Sequence, residues 1–253
     1  MAKARSRPGA RNRKIVIDGG DRVYVDLDDV LAETARTLLG VLERDFGKKV
    51  LFDDVRHFDL GRSLGLEPDE LAEFMNRIHQ PDVLLALPPV EGAFPVLETW
   101  IRAGCEVCIV TGRPSSTQGP TREWLERHAV PHSGVLFVDK YSRQSAARGA
   151  SVALSLDELS AMPFALAIDD APTMLSFLLE RMTASVIIRD RPWNRTDVRV
   201  PRDARDRVLR CAGWAEIAVS VKARTCPRTR RTAPAAPRSS RPAPSREGAP
   251  GAS

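Results

Sequence analysis

Residues 22–32 read Arg22-Val23-Tyr24-Val25-Asp26-Leu27-Asp28-Asp29-Val30-Leu31-Ala32, and the fold turns on how this stretch is taken. Arg22–Leu27 is an apolar run closed by acids, so it reads as a buried strand. Further runs share that form. Val107–Val110 is followed by Thr111-Gly112-Arg113-Pro114, Val135–Val138 by Asp139-Lys140, and Phe164–Ile168 by Asp169-Asp170; Ser185–Ile188 is a fifth run. Helical patterns fit between them at Thr121–His128 and Thr173–Met182. Near-continuous apolar strands alternating with helices predict a parallel sheet covered on both faces. The fold class is therefore a doubly wound, Rossmann-like α/β sheet.

One connection is too long for a simple crossover. Ala32–Arg44 carries Ala35, Leu38, Leu39 and Leu42 at helical spacing, and Glu67–His79 carries Leu71, Phe74, Met75 and Ile78. Residues 32–95 thus read as a small helical cap inserted after the first strand. The expected organisation is a basic N-terminal extension over 1–20, a core over 21–31 and 96–221, the cap over 32–95, and a disordered basic, Pro-rich tail over 222–253. Lys14-Ile15-Val16-Ile17 could add a short strand.

Ligands of open parallel sheets bind beyond the carboxyl ends of the strands. Those ends carry Asp26, Asp28 and Asp29, then Thr111, Lys140, and Asp169-Asp170. Asp26 and Asp28 are two apart, so an extended chain points them the same way. One carboxylate can then attack phosphorus while the other protonates the leaving oxygen. Asp169-Asp170 would complete a site for magnesium, the cation that carboxylate oxygens favour over zinc. Thr111 can donate to a phosphate oxygen, and Lys140 can neutralise phosphate and nucleophile. Taken singly, each of these has an ordinary reading: a helix cap, turn chemistry or a surface lysine. The weight lies in all four arriving in order, each closing a strand.

Val25-Asp26-Leu27-Asp28-Asp29-Val30-Leu31-Ala32, Val110-Thr111-Gly112, Lys140 and Ile168-Asp169-Asp170 resemble the four motifs of the haloacid dehalogenase-like phosphatase superfamily, over about residues 22–195. The resemblance implies that Asp26 forms an aspartyl-phosphate and that Asp28 is acid, then base. It implies phosphate binding by Thr111, Gly112 and Lys140. It places Mg2+ on Asp26, the backbone carbonyl of Asp28, and the Asp169-Asp170 pair, and it implies a cap after the first strand. Asp29 departs from the family, which usually has Gly there. Within the superfamily the chain resembles the 5′(3′)-deoxyribonucleotidase-like branch. The same residues 26–32, the run Trp124–His128 leading to Phe137-Val138-Asp139-Lys140, and Asp190-Arg191-Pro192-Trp193-Asn194 carry that likeness. The expected activity is hydrolysis of a small phosphomonoester such as a nucleotide, with Phe46, Phe52, Phe58 and Phe74 as candidates to stack on a base. The alternatives are a phosphatase acting on nucleic-acid ends and a non-catalytic binding protein on this scaffold.

Charge is divided unevenly along the 253 residues. The net value of +5 hides six Lys/Arg and no acid in residues 1–14, and a net of seven positive charges in residues 222–253; what remains, residues 15–221, is at −8. The two basic segments could contact nucleic acid through counterion release. No apolar stretch reaches the ~20 residues of a membrane span, and the N-terminus lacks an apolar secretory core, so a cytoplasmic protein is expected. Cys105 and Cys108 form a C-x-x-C pair inside a predicted strand; with Cys211 and Cys226 isolated, all four read as structural thiols.

Overall fold

The structure, a computed structural model, describes residues 14–141, 153–196 and 198–225. Six parallel strands form the main sheet: β2 (Arg22–Asp26), β3 (Glu106–Thr111), β4 (Gly134–Phe137), β5 (Leu166–Asp169), β6 (Ser185–Arg189) and β7 (Val208–Cys211). Their order is β4-β3-β2-β5-β6-β7. The chain steps one way from β2 to β3 and β4, then returns to the other side of β2 for β5, β6 and β7. The carboxyl end of β2 is therefore a topological switch point, where open α/β sheets bind ligands.

Alternation along the strands sorts the core into two faces. Val23, Val25, Val107, Ile109, Leu166 and Ile168 pack with Leu97 and Trp100 of α5 (Ala93–Arg102), Trp124 and Leu125 of α6 (Gln118–Arg127), and Trp214 and Ile217 of α9 (Trp214–Ser220). Tyr24, Val110, Ala167, Val186 and Ile188 face the other way. They meet Leu159 of α7 (Leu156–Ser160) and Met174, Leu175 and Leu178 of α8 (Pro172–Arg181). Strands buried on both faces explain why their sequences are apolar without polar alternation.

Between β2 and α5 lie four helices: α1 (Thr34–Phe46), α2 (Leu60–Leu64), α3 (Pro68–Ile78) and α4 (Pro81–Leu85). They carry their own apolar cluster, including Val41, Leu42, Val55, Leu64, Phe74, Ile78 and Val83. The two linkers into and out of this insertion pair with each other. Val90 N–H donates to the Leu31 carbonyl and Glu33 N–H to that of Pro88, both at 2.8 Å. Two buried tryptophans of the core hold these linkers: Trp214 Nε1 donates to the Val30 carbonyl and Trp124 Nε1 to that of Leu87, each at 2.8 Å.

The sequence alone does not reveal β7, α5, α7 or α9, and the fold runs past the C-terminal boundary expected from it. Residues 222–224 belong to a strand: β1 (Ile15–Asp18) pairs in parallel with β8 (Val221–Arg224) in a separate two-stranded sheet. Ile15, Ile17 and Val221 are buried in the main core, which is why so short a ribbon persists. The same finding puts residues 15–18 in the fold, inside the span expected to be an extension. The remaining parts of both basic segments, 1–13 and 226–253, lie outside the described residues, as does Cys226.

Candidate active site

Asp26 is the last residue of β2, Thr111 of β3 and Asp169 of β5. Asp170 follows directly, and Lys140 lies three residues beyond β4. All five are buried. One carboxylate oxygen from each of Asp26, Asp169 and Asp170 lies within 4.8 Å of the others. Lys140 Nζ reaches Asp26 Oδ1 at 2.5 Å and Asp169 Oδ2 at 3.1 Å. Burial pushes Asp26 well above the usual carboxylate range, with Asp169 and Asp28 adding to it against Lys140. Asp170 is raised in the same way, by burial and then by Asp29, Asp26 and Asp169. Lys140 is held well above its ordinary value: burial opposes the charge, but Asp169 and Asp26 prevail.

Three buried carboxylates against one ammonium leave an excess of negative charge, and the donors are all oxygen. That donor set fits a hard divalent cation rather than zinc. Asp169 is already committed on both oxygens: Oδ1 accepts from Ala171 N–H at 2.8 Å, and Oδ2 accepts from Tyr24 Oη at 2.6 Å and from Lys140. Asp170 Oδ2 accepts from Trp193 Nε1 at 2.8 Å.

Gly112 has a steric reason. A Cβ there would stand 2.8 Å from the Tyr141 ring and 3.0 Å from Lys140 Cδ, so any larger residue would push Lys140 aside. Thr111 Oγ1 accepts the backbone N–H of Arg113 at 3.2 Å, which closes the turn after β3.

Asp28 is placed by more than strand alternation. β2 ends at Asp26 and the chain bends at Leu27, so strand alternation alone does not aim Asp28. Its carboxylate is held by the Arg113 guanidinium, with Nη2 at 2.6 Å and Nε at 3.0 Å, and by Thr34 Oγ1 at 2.6 Å. Burial works against the charge, but Arg113 and Thr34 keep Asp28 below the ordinary carboxylate value. Arg113 is itself buried and also donates to Thr121 Oγ1 at 3.2 Å.

Asp29 adopts φ 58°, the left-handed region that suits Gly and that Asp tolerates better than most residues. Its carboxylate accepts the Ala35 N–H at the start of α1, at 3.1 Å to each oxygen, and Arg191 Nε binds its carbonyl at 3.1 Å. Burial pushes this carboxyl up to about 7, against the opposing charge of Arg191.

Tyr24, Arg113, Arg191 and Trp193 were not picked out individually as site residues from the sequence. Tyr24 is an aromatic in an apolar strand, and only its hydroxyl on Asp169 marks it. Arg113 stands beside Thr111-Gly112 but pairs across 85 positions of sequence. Among the stacking candidates, Phe74 is fully buried and Phe46 packs edge-on against it at 5.5 Å. Phe52 packs against Trp193 at 5.7 Å. Phe58 lies 5.9 Å from the ring of Tyr141, the neighbour of Lys140, so it approaches the site on the Lys140 side. Cys105 and Cys211 are buried and Cys108 half-buried, all as free thiols. Burial raises Cys105 to about 11. Among the described residues, no helix is long and apolar enough to cross a membrane.

Comparison with known proteins supplies a family and a fold. The family described as 5′ nucleotidase, deoxy (pyrimidine), cytosolic type C protein matches residues 21–147. A curated protein of Halalkalibacterium halodurans, provisionally named a nucleotidase, is 26% identical over 195 residues, which cover 77% of this chain and 89% of that one. A haloacid dehalogenase-like family hydrolase from Streptococcus pneumoniae shares the fold, with a TM-score of 0.54 at 14% identity, covering 78% of this chain and 96% of the other.

Proposed function

The chain belongs to the cytosolic type C 5′-nucleotidase family of haloacid dehalogenase-like hydrolases, and from that premise we propose that it hydrolyses a nucleoside monophosphate through a phosphoryl group carried on Asp26, in a cytosolic setting. The observation that carries the proposal is the buried cluster of Asp26, Lys140, Asp169 and Asp170 at the switch point of the sheet.

Asp26 attacks phosphorus. The bond from phosphorus to the nucleoside oxygen breaks, and its electron pair leaves with that oxygen, which takes a proton from Asp28. Water then attacks the phosphoryl group on Asp26 and gives its proton to Asp28; inorganic phosphate leaves and Asp26 is restored. Lys140, already on Asp26, offsets charge on the nucleophile and the phosphoryl oxygens. Thr111 Oγ1 and the chain at Gly112 supply donors to those oxygens. The ion pair of Asp28 with Arg113 is the ionised form, which suits the water-activating half. To serve as acid, Asp28 must take up a proton and leave Arg113.

Asp26, Asp170 and the backbone carbonyl of Asp28 would hold magnesium, with Asp169 behind them, since both of its oxygens are already engaged. When bound, the cation would neutralise the phosphoryl oxygens and the excess carboxylate charge. Helices α1–α4 act as a cap that selects substrate, with Phe58 beside Tyr141 as the surface for a base.

The test is phosphate release by the full chain from nucleoside monophosphates, p-nitrophenyl phosphate and 3′- or 5′-phosphorylated oligonucleotides, with magnesium and with excess chelator. Release from mononucleotides that chelator abolishes is expected. Preference for oligonucleotides would move the assignment to nucleic-acid ends, and no release from any phosphoester would leave a binding protein.

A further inference from the structure

We propose that Trp193 is a positioning residue that ties the packing of the helical insertion to cation affinity, so that each strengthens the other. The inference rests on the cation site proposed above. Trp193 lies in the short turn Pro192–Asn194 after β6, in the sheet domain, yet it packs in the core of the insertion with Val41, Leu42, Val55, Phe74 and Val83. It is 3% exposed. Phe52, from the insertion, meets the indole edge-on at 5.7 Å and 71°. The other end of the same indole donates Nε1–H to Asp170 Oδ2 at 2.8 Å. One rigid side chain thus has its apolar face in one body and its polar handle on a cation-site carboxylate of the other.

The turn that presents Trp193 is fixed on several sides. Asn194 Nδ2 donates to the carbonyls of Asp170 and Arg189 at 2.8 Å each, and Arg210 Nη1 donates to Asn194 Oδ1 at 2.6 Å. Arg191, just before this turn, donates to the carbonyl of Asp29, at the entrance to the insertion. With its base fixed, the indole can shift chiefly with Phe52 and the insertion core, and a shift would withdraw the N–H from Asp170. That N–H occupies one oxygen of Asp170 and orients the carboxylate. Partners of this kind behind a metal ligand typically govern 10–100-fold in affinity. Linkage then makes the effect reciprocal: a cation on Asp170 favours the indole pose in which the insertion is packed.

Mn2+ is the probe, with free ion followed by electron paramagnetic resonance on the full-length protein. Wild type is expected to bind. Trp193→Phe keeps a ring but removes the donor, and is expected to bind about 10-fold or more weakly while unfolding at a similar temperature in chelator. Phe52→Leu, which leaves every group at the cation site in place, is expected to weaken Mn2+ several-fold. Magnesium should change wild-type tryptophan fluorescence, and the change should be much smaller in Trp193→Phe, because Trp193 is the tryptophan bonded to a cation-site carboxylate. Equal Mn2+ affinity in wild type and Trp193→Phe overturns the coupling while leaving the cation site standing. If Trp193→Phe does not fold, Phe52→Leu decides, and unchanged affinity there overturns it. Absence of Mn2+ binding in wild type removes the cation site and this proposal together.

Discussion

The ends of β2, β3 and β5 bury Asp26, Thr111, Asp169 and Asp170, with Lys140 among them. The insertion between Thr34 and Leu85 buries Val41, Leu42, Phe74 and Ile78, and keeps its charges in surface pairs such as Arg77 with Asp45 and Asp82. The first region carries buried like charges that cost stability, and the surrounding sheet must hold them in place. The second gains stability from apolar burial and has only a few points of contact with the chemistry. Substitutions should therefore divide: at the strand ends they remove reaction without loosening the fold, and in the insertion core they loosen the fold and reach the reaction only through contacts such as Phe52 with Trp193 and Phe58 with Tyr141.

The largest effect is expected at Asp26. Asp26→Asn should abolish turnover, because an amide cannot carry the phosphoryl group, while the thermal midpoint changes little. Residual activity near wild type would break the comparison at its centre. Asp28→Asn follows, with a loss of about 10²–10⁴-fold in kcat, the range for a general acid or base. Steady-state kinetics on a substrate with a poor leaving group would show it most fully. From the other region, Phe74→Ala should destabilise by about 3–5 kcal/mol, as truncation of a fully buried phenylalanine does. Urea unfolding would measure it, and hydrogen exchange should place the loosening in α1 and α3. Phe58→Leu tests the boundary between the regions. It should cost about 1–3 kcal/mol in nucleotide kcat/KM, the usual value for base stacking, and less with p-nitrophenyl phosphate. Parallel loss of both activities would mean that Phe58 acts through packing alone. The smallest effect belongs to neither region: with its pKa raised to about 11, Cys105 is overwhelmingly the protonated thiol at pH 7, so a thiol reagent should label it slowly and faster as pH rises.

The division also explains what the sequence made legible. Asp26, Thr111, Lys140 and Asp169-Asp170 stand out because polar residues at the ends of apolar runs break a local pattern, and parallel topology gathers strand ends in one place. Arg113, Tyr24 and Trp193 break no such pattern. Their roles exist only through partners that the fold brings from 85, 145 and 23 positions away. Asp28 is legible by its spacing from Asp26, but the chain bends at Leu27 and the groups that hold its carboxylate, Arg113 and Thr34, are not legible. Phe46, Phe52, Phe58 and Phe74 look alike in sequence because each is an aromatic of the insertion, and the sequence does not say which neighbour each ring meets. β7 and the β1–β8 ribbon are four-residue strands whose existence depends on burial against elements far along the chain.

That ribbon has a bearing on the order in which the molecule assembles. Asp18 and Arg224, joined at 2.6 Å, are separated by 206 positions, so the contact closes a loop around nearly all of the described chain. Closing so long a loop before its contents are ordered carries a large entropy cost, and such distant pairings slow folding. The pairing of β1 with β8 should accordingly come last, after β2, β3 and β5 have aligned, and it should be the first to open when the protein unfolds. Its opening would expose Ile15, Ile17 and Val221 while the strand-end cluster is still intact.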